Sequence, residues 1–232
     1  MKDPVTWARL LLEAAFEQEA QPARICELCV EMLGVSGAGI ARITQGGHRG
    51  VVTSTDDVSG LVEELQLTLG EGPCVDAVGQ GRPVLIPDLQ EPDDLVVQRW
   101  PGFFEGASRA GVRAVFAFPL HIGAISLGAM DLYRSAPGPL GASELAGALL
   151  AADAAALALL HLDGGEPDTG QAATHYDTHV HQATGMVQAQ LGISTEEAFL
   201  VLRARAFALS RPLTEVARDV VARRLRFGSE DS

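Results

Sequence analysis

The sequence is poor in cysteine, in aromatic residues and in positive charge. Its 232 residues include 3 cysteines, 5% aromatic residues, and 17 Lys and Arg against 30 Asp and Glu, which gives a net charge of −13. Three cysteines are an odd set that does not build a disulfide framework in a chain of this size. An acidic chain does not hold nucleic acid through its overall field, so any such contact has to come from a local patch.

Export and membrane signals are also missing. The N-terminus, MKDPVTWARL, lacks the apolar core of an export signal, so we expect a cytoplasmic protein. The apolar stretch at 145–162 carries Asp153 in its middle and is rich in alanine, and both features favour a buried amphipathic helix over a membrane span. With 47% hydrophobic residues, the chain is expected to be folded over most of its length.

The charge balance changes near the C-terminus. Residues 1–174 hold 10 basic and 23 acidic residues, whereas residues 175–227 hold 7 Arg and 5 acidic residues. Such an asymmetry indicates a domain boundary. The stretch DGGEPDTGQA at 163–172 has the glycine, proline and acidic residues of a linker and lies at this boundary.

The hydrophobic pattern before the linker changes from helical to β-type and back. The predicted helices cover residues 5–34, 56–69, 103–110 and 143–162, and the predicted strands cover 38–44, 50–55, 83–86, 112–122 and 124–134. An acidic loop is expected at 88–94. The last two strands, joined by Gly123, are expected to form a central antiparallel pair, with Gly128 relieving crowding or marking a bulge. This order of elements predicts an α+β fold with an antiparallel sheet.

After the linker the apolar period is helical only. Apolar residues recur within 180–191, 198–209 and 213–220, and Ser194 with Glu197 forms a capping-box pattern before the second segment. We therefore expect a C-terminal three-helix bundle with helices of about fifteen residues. A core this small needs support from neighbouring helices or from a partner chain.

Two segments resemble known families. The first resemblance is carried by Gly70-Glu71-Gly72-Pro73-Cys74-Val75-Asp76-Ala77, then by Gly81-Arg82-Pro83-Val84 and by Phe118-Pro119-Leu120. These blocks resemble the actinobacterial type of GAF sensor domain. The resemblance implies an antiparallel-sheet domain with flanking helices that responds to a small ligand or to a partner.

The second resemblance lies in the C-terminal segment. Its blocks are Ala183-Thr184-Gly185-Met186-Val187, Gly192-Ile193-Ser194-Thr195-Glu196-Glu197-Ala198 and Arg211-Pro212-Leu213-Thr214-Glu215-Val216-Ala217. They resemble the ANTAR module, an RNA-binding three-helix bundle of transcription antitermination regulators. Two departures stand out: Thr184 replaces a lysine that many members carry, and Gly164, Gly165 and Pro167 interrupt the coiled coil that often joins the two domains.

The predicted organisation follows from these segments. It comprises an N-terminal helix (1–17), a GAF-like sensor domain (18–163), a linker (164–174), an ANTAR-like domain (175–227) and a disordered tail (228–232).

The resemblance to the ANTAR module suggests an RNA surface on the bundle. Arginine binds loop RNA by stacking on unpaired bases and by bonding to phosphates. A mid-helix glycine is consistent with close approach of RNA or of another helix. Arg223, Arg224 and Arg226 are instead expected to end a helix, where cations complement the dipole, with Asp219 paired to Arg223 and Glu215 to Arg211. The RNA-binding candidates are Thr184, Gly185, Arg203, Arg205, Arg211 and Arg218.

In the sensor half, a ligand pocket is expected between the sheet and the loops at 70–77 and 88–100. The candidate ligand-binding residues are Cys74, Asp76, Asp88 and Trp100. Cys74 follows Pro73 at the start of a predicted helix, whose dipole would lower the pKa of the thiol, whereas simple burial is the competing interpretation.

Other chemistry-bearing residues are interpreted as structural. Cys26 and Cys29 have C-x-x-C spacing on a predicted helix and are expected to be small helix-face residues, with redox or metal chemistry as the alternative. His175 and His179 have a metal-ligand spacing, but no acidic residue completes a site, so an exposed polar face is expected. No metal, cofactor or catalytic residue is predicted.

These features predict a homodimeric transcription regulator. The bundle would bind hairpin loops of nascent RNA and prevent termination, under the control of a small ligand or partner at the GAF-like domain. Motifs for nucleophilic catalysis and for phosphate or dinucleotide binding are lacking. Two alternatives remain: a GAF-fold thiol enzyme of the methionine sulfoxide reductase type, which needs cysteines close together at a pocket, and a protein-docking regulator without RNA binding.

Overall fold

Five antiparallel strands form a single mixed-length sheet in the computed structural model, which describes residues 4–16, 22–44, 47–91, 94–164 and 175–228. The strands are β1 (Gly37–Thr44), β2 (Gly47–Ser54), β3 (Val84–Ile86), β4 (Ala114–Ile122) and β5 (Ile125–Arg134). Their order is β2-β1-β5-β4-β3, so the predicted pair β4 and β5 is internal. Leu120 pairs with Gly128 just before the register shifts, and a side chain at Gly128 would overlap the carbonyl oxygen of Ala41. Gly128 thus relieves crowding beside an irregularity in the pairing of β4 with β5.

Helices precede, interrupt and follow the strands. They are α1 (Pro4–Phe16), α2 (Pro22–Leu33), α3 (Asp57–Leu69), α4 (Pro73–Gln80), α5 (Asp94–Arg99), α6 (Pro101–Arg109), α7 (Ala142–Gly164), α8 (His175–Leu191), α9 (Thr195–Ala208) and α10 (Leu213–Val221). The predicted α+β fold with an antiparallel sheet and a C-terminal helical bundle is confirmed. We refer to residues 4–164 as the sensor half and to residues 175–228 as the bundle.

The two faces of the sheet carry different side chains, because consecutive residues of a strand point to opposite sides. Met130 and Leu132 of β5 join the core formed with α1, α2 and α7. Asp131, between them, faces the other side, where α3 and α4 cover the sheet. The middle of the apolar strand β5 therefore places a buried carboxylate in the interior of the sensor half.

Helix α7 is long and apolar enough to cross a membrane by length and composition alone. Half of the relevant window in Ala142–Leu162 is buried, and α7 packs against α1, α2 and β4. A core helix passes the same test, so this is weak support for a span. Leu149, Leu150 and Leu160 are exposed on this helix.

The bundle has its own small core, which includes one residue of the sensor half. Ser194 caps α9 in the predicted capping box with Glu197, and Gly192 ends α8 with φ of 67°. Helix α10 has 9 residues and is shorter than expected, because the chain leaves the helix before Arg223, which has φ of 59°. The bundle core comprises Val180, Ala183, Val187, Ala198, Leu202, Ala206, Leu213, Val216, Ala217, Val220 and Phe227, together with Leu67 of α3.

Three predicted segments differ from the structure or lie largely outside the described residues. Helix α5 begins where the acidic loop at 88–94 was expected to end, and its 6 residues are too few to show an amphipathic period. The predicted linker (164–174) lies outside the described residues apart from Gly164, the last residue of α7. The predicted tail (228–232) also lies outside them apart from Gly228.

Candidate functional site

Thr184 and Gly185 are neighbours on α8 with different surroundings. Thr184 is buried, and its hydroxyl donates to the carbonyl oxygen of Val180 at 2.7 Å. Gly185 is exposed, and a Cβ atom built on it meets no atom of the described chain within 4 Å. Packing of another helix therefore does not account for a glycine at this position. Its backbone is open to an external partner.

Arg203 extends from α9 onto the sensor half. Its Nε donates to the carbonyl oxygen of Thr68 at 3.1 Å, and its guanidinium lies 5.8 Å from the centre of the Phe199 ring. Gly70, which ends α3 with φ of 66°, lies beside it, and a methyl group at this glycine would overlap the guanidinium. Burial lowers the pKa of Arg203, whereas the carboxylate of Glu71 raises it. This arginine is held by the sensor half.

Arg211 is held within the bundle. Its Nε lies 3.3 Å from Oε2 of Glu215, and its Nη1 lies 2.8 Å from Oδ2 of Asp219. Nη2 of Arg224 lies 2.6 Å from Oδ1 of the same Asp219. Hydrogen bonds from Arg211 and then Arg224 lower the pKa of Asp219.

The ion pairs of α10 correct part of the sequence interpretation. The pairing of Glu215 with Arg211 is present, but Asp219 pairs with Arg211 and Arg224 instead of with Arg223. Arg223, Arg224 and Arg226 do not end a helix, because α10 stops at Val221. The positive φ of Arg223 turns the chain so that Arg224 returns to Asp219.

Arg205 and Arg218 complete the predicted RNA surface. Arg205, on α9, is half-buried, and its Nε has no hydrogen-bond partner among the described residues. Arg218, on α10, is exposed and lines a cleft between the bundle and the sensor half. Arg203 and Arg211 thus form internal contacts, Gly185 lies at the surface, and Arg218 lies at the surface near Glu64.

The bundle docks on helix α3 through polar contacts as well as through Leu67. Oε1 of Glu64 accepts hydrogen bonds from the backbone N–H and from the hydroxyl of Thr214, both at 3.1 Å. Oγ1 of Thr68 accepts from the N–H of Leu213 at 3.1 Å. These two N–H groups lie in the first turn of α10, which has no intrahelical acceptor for them. Side chains of α3 therefore cap α10.

Glu64 is a buried carboxylate at this contact, with 8% of its surface exposed. Burial raises its pKa, and the hydrogen bonds from Thr214 and the positive charge of Arg218 act in the opposite direction. The cleft beside it has a volume of about 660 Å³. Its lining includes Val51–Asp57, Gly60 and Glu64 from the sensor half and Pro212, Thr214, Glu215 and Arg218 from the bundle.

The Gly70–Cys74 motif connects three elements. Gly70 ends α3 beside Arg203, and Oε1 of Glu71 accepts from the N–H groups of Gly102 and Phe103 at 2.8 and 3.0 Å. Glu71 thus provides a hydrogen-bond acceptor for two N–H groups in the first turn of α6. The motif positions helices rather than presenting a reactive group at the surface.

Three predicted pocket residues are engaged in structural contacts. Asp76 pairs with Arg99, and Asp88 forms a two-oxygen pair with Arg113 whose shortest distances are 3.1 Å. Trp100 is 2% exposed and stacks against Phe104. None of the four predicted pocket residues lines the cleft described above. Their role in ligand binding stays a prediction.

The fourth, Cys74, lies in a buried polar cluster. Its ligand-type atom and those of Glu63 and Asp131 all lie within 4.8 Å of one another. Gln66 joins the group: its Nε2 donates to Oδ2 of Asp131, and its Oε1 accepts from the backbone N–H of Cys74 at 2.8 Å. Gly39, paired with Asp131 in the sheet, provides room, because a Cβ atom there would lie 2.5 Å from Oε1 of Glu63.

Burial dominates the electrostatics of this cluster. Desolvation raises the pKa of the Cys74 thiol well above its usual value, and the charges of Asp131 and Glu63 raise it further. The expected lowering by the helix dipole is therefore outweighed, and the interpretation as a buried thiol is the better one. Desolvation also raises the pKa of Glu63, as does the charge of Asp131.

Cys26 and Cys29 are buried free thiols on α2. They belong to the core on the α1, α2 and α7 side of the sheet, whereas Cys74 lies on the α3 and α4 side. Burial raises the pKa of both. The side chain of His175 is outside the described residues, so its pairing with His179 stays untested.

Sequence interpretation missed Glu63, Gln66 and Asp131 as members of a site, and Glu64 as a docking residue. One signal was present: Asp131 interrupts an apolar strand at a position that alternation assigns to a covered face. Glu63 and Glu64 gave none, because adjacent acidic residues on a helix usually face solvent.

Comparisons with known proteins agree with the two resemblances. A family model described as the GAF domain matches residues 23–160, and one described as the ANTAR domain matches residues 170–221. No curated protein matches the chain.

Solved structures with a similar fold include GAF domains. The GAF domain from an Acinetobacter phosphoenolpyruvate-protein phosphotransferase is 9% identical with a TM-score of 0.52, over 70% of this chain and 97% of that chain. The GAF domain from a phosphoenolpyruvate-protein phosphotransferase of Coxiella burnetii is 11% identical with a TM-score of 0.49, over 68% and 94% respectively. At 9% identity, the likeness to the Acinetobacter domain shows the fold alone. Since the GAF model spans more than half of the sequence, the chain belongs to the GAF domain family, with an ANTAR domain after the GAF domain.

Proposed function

We propose that this protein is a signal-responsive transcription regulator whose ANTAR domain binds hairpin loops of nascent RNA and prevents termination. A GAF domain followed by an ANTAR domain is the architecture of a sensor-regulated regulatory protein. The observation that carries the proposal is the docking of the ANTAR bundle on α3 through Arg203. Through this docking, the sensor half contacts a candidate RNA-binding side chain directly.

The RNA surface would centre on the open part of the bundle. Gly185 offers exposed backbone, and Arg218 is an exposed residue at the cleft. Arg205 and Arg211 would add stacking or phosphate contacts after local rearrangement. Thr184 points inward, so within this proposal it supports α8 beneath Gly185 without touching RNA.

Control would come from the docked position of Arg203. With its Nε on Thr68 and its guanidinium against Gly70, this arginine cannot also stack on a base. Binding of RNA through Arg203 therefore requires this side chain to leave Thr68 and Gly70, either by rotating away or together with the bundle. A small ligand or a partner at the GAF domain would act by changing the stability of this contact, since two states that bind RNA differently are what such control needs.

We further propose that the protein acts as a cytoplasmic homodimer. Val5 and Leu12 of α1 and Leu149, Leu150 and Leu160 of α7 expose apolar surface on two helices that pack together, and a second copy would cover it. Two weakly basic modules bind paired RNA loops more tightly than one does. Equal RNA affinity of the monomeric and dimeric forms would contradict this part of the proposal.

The thiol-enzyme alternative has little support in the geometry. Cys74 is fully buried, its thiol pKa is raised, and the other two cysteines lie across the sheet. The salt dependence of binding distinguishes the protein-docking alternative from RNA binding. Phosphate contacts weaken steeply as salt rises, whereas an apolar docking face does not.

Capture of RNA from cells tests the proposal. We would compare the intact protein with a variant in which Arg203, Arg205, Arg211 and Arg218 are alanine. A matched control replaces Arg9, Arg24, Arg82 and Arg109 of the sensor half, which removes the same charge from another surface. We expect the first variant to lose the captured transcripts and the control to keep them. The same transcripts recovered with both variants would overturn the assignment of these side chains.

A further inference from the structure

The buried cluster of the sensor half contains more carboxylate oxygens than its hydrogen bonds satisfy. Glu63, Cys74 and Asp131 are 0%, 0% and 3% exposed. Among the described residues, three carboxylate oxygens of this cluster have no hydrogen-bond partner. They are Oε1 and Oε2 of Glu63 and Oδ1 of Asp131. Burial of a carboxylate without a partner is strongly unfavourable, and burial of two side by side is more so.

The three groups come from different elements and converge. Helix α3 supplies Glu63, the first turn of α4 supplies Cys74, and the middle of β5 supplies Asp131. One ligand atom from each lies within 4.8 Å of the other two. This spacing allows a single ion to contact all three at bond lengths of about 2.0–2.3 Å after small side-chain adjustments.

A second layer of contacts fixes the orientation of two of the groups. Gln66 donates to Oδ2 of Asp131, which leaves Oδ1 as the oxygen without a partner. The same amide accepts from the N–H of Cys74 and so holds the start of α4. Amide contacts that orient ligands in this way are typical of built metal sites.

We propose that Glu63, Cys74 and Asp131 form a three-ligand site for a divalent transition-metal ion. One thiolate with two carboxylates suits an ion of borderline softness such as Zn²⁺, Co²⁺ or Fe²⁺, whereas Mg²⁺ and Ca²⁺ prefer oxygen ligands only. The ion replaces the protons of the thiol and of the two carboxyl groups, and its two positive charges offset two of the three negative charges that result. Three protein ligands leave a coordination position for water or a small ligand.

The site would also give the sensor half a route to the ANTAR domain, a consequence that rests on the proposed function. Helix α3 carries Glu63 and Gln66 on the cluster side and Glu64, Leu67 and Thr68 on the docking side. A change in the ligands of the ion would act on the helix that holds the bundle. Metal binding itself does not depend on this consequence.

Titration with Co²⁺ tests the site directly, because a cobalt–thiolate bond gives a charge-transfer absorption that carboxylates do not give. We would use the full chain, stripped with a chelator, and a variant in which Cys26 and Cys29 are alanine, so that Cys74 is the remaining cysteine. We expect one Co²⁺ per chain and the thiolate band in both proteins. Zn²⁺ is expected to displace Co²⁺, and an equal concentration of Mg²⁺ is not.

Substitutions locate the other ligands. Gln66→Ala removes only the orienting amide and is expected to weaken Co²⁺ binding about 10–100-fold. Glu63→Gln and Asp131→Asn are expected to weaken it more than that. Glu64→Gln, a change at the adjacent buried carboxylate outside the cluster, is the matched control and should bind Co²⁺ as the unaltered chain does.

The outcomes separate a metal site from a buried acid pair that is merely protonated. The proposal is overturned if the folded chain binds no Co²⁺, or if Co²⁺ binds without the thiolate band in the variant that retains Cys74 alone. Unchanged affinity in folded Glu63→Gln and Asp131→Asn would overturn it as well. RNA binding is not measured here, so a negative result leaves the proposed function standing, and loss of RNA binding elsewhere leaves the metal site standing.

Discussion

Glu63 and Glu64 are adjacent on α3, yet their carboxylates serve different halves of the molecule. Glu63 enters the cluster with Cys74 and Asp131 inside the sensor half, whereas Glu64 accepts two hydrogen bonds from Thr214 of the bundle. Consecutive residues of a helix are about 100° apart around its axis, so one turn of α3 can contribute to both environments. Any shift of this helix that accommodates a change in the cluster also moves the acceptor for α10.

Loss of the Leu67 side chain should release the bundle. Leu67 is 1% exposed and belongs to the bundle core, so Leu67→Ala removes apolar contacts of the docked state without altering the ANTAR domain. Burial of a leucine side chain is worth about 1.5–3 kcal/mol, which corresponds to a shift of about tenfold or more toward the undocked state. We expect higher affinity for the captured RNA, measured by fluorescence anisotropy.

Leu65→Ala is the matched control for this change. Leu65 lies on the same helix but packs with the Phe103 and Trp100 cluster of the sensor half. It should lower the free energy of unfolding without raising RNA affinity. An equal gain in affinity for both variants would show that general destabilisation, and not undocking, produces the effect.

The hydroxyl of Thr214 tests the polar part of the docking contact. In Thr214→Val the donor to Glu64 is lost while the shape is kept, so one hydrogen bond to a buried carboxylate disappears. Hydrogen bonds to charged groups contribute about 1.5–3 kcal/mol. We expect a loss of this order in the free energy of urea unfolding for Thr214→Val and a much smaller one for Thr214→Ser, which keeps the hydroxyl. Equal losses would assign the effect to packing.

The sequence predicted those parts of the fold that depend on neighbouring residues. The end of α3 at Gly70, the capping box of Ser194 and the tight turn at Gly123 each require particular residues within a few positions, and each is present. Helix α5 was missed because 6 residues do not establish a period, and the length of α10 was wrong because the positive φ of Arg223 has no signature in an arginine.

The candidate site was less predictable because its members are far apart in sequence. The contact of Arg203 with Thr68 joins residues 135 positions apart, and the bond from Gln66 to Asp131 joins residues 65 apart. A family motif located Cys74, but its buried neighbours become visible only when α3, α4 and β5 are placed together. The motif also drew attention to loops, whereas the cluster lies beneath two helices.

The phenol of Tyr133 should titrate at high pH. Its hydroxyl donates to Oδ2 of Asp56 at 2.9 Å, and burial first, then Asp56, raises its pKa to about 12. An unfolded tyrosine titrates near pH 10, so the folded state holds this proton more tightly. The contribution to stability is present below about pH 10 and is lost as the pH rises through about 12. Absorbance titration should show a phenolate near pH 12 that Tyr133→Phe lacks, and a single transition near pH 10 in the folded protein would contradict this assignment.

Gly70 offers the most selective way to expel Arg203 from the sensor half. Gly70 and Gly81 end α3 and α4 with nearly the same left-handed backbone, φ of 66° and 63°. Alanine at either position therefore incurs a similar backbone cost of about 1–2 kcal/mol. A methyl group at Gly70 would overlap the Arg203 guanidinium, whereas one at Gly81 meets no described atom within 4 Å.

The two variants should therefore match in backbone strain and differ in docking. Gly70→Ala displaces a charged hydrogen bond worth about 1.5–3 kcal/mol, so we expect RNA affinity to rise about 10–100-fold, with Gly81→Ala unchanged. Adding Arg203→Ala to Gly70→Ala should abolish much of the gain, because the released guanidinium is then missing. If Gly70→Ala binds RNA no better than Gly81→Ala while Arg203→Ala alone lowers affinity, Arg203 contacts RNA without being masked, and the docked bundle is not the inhibited state.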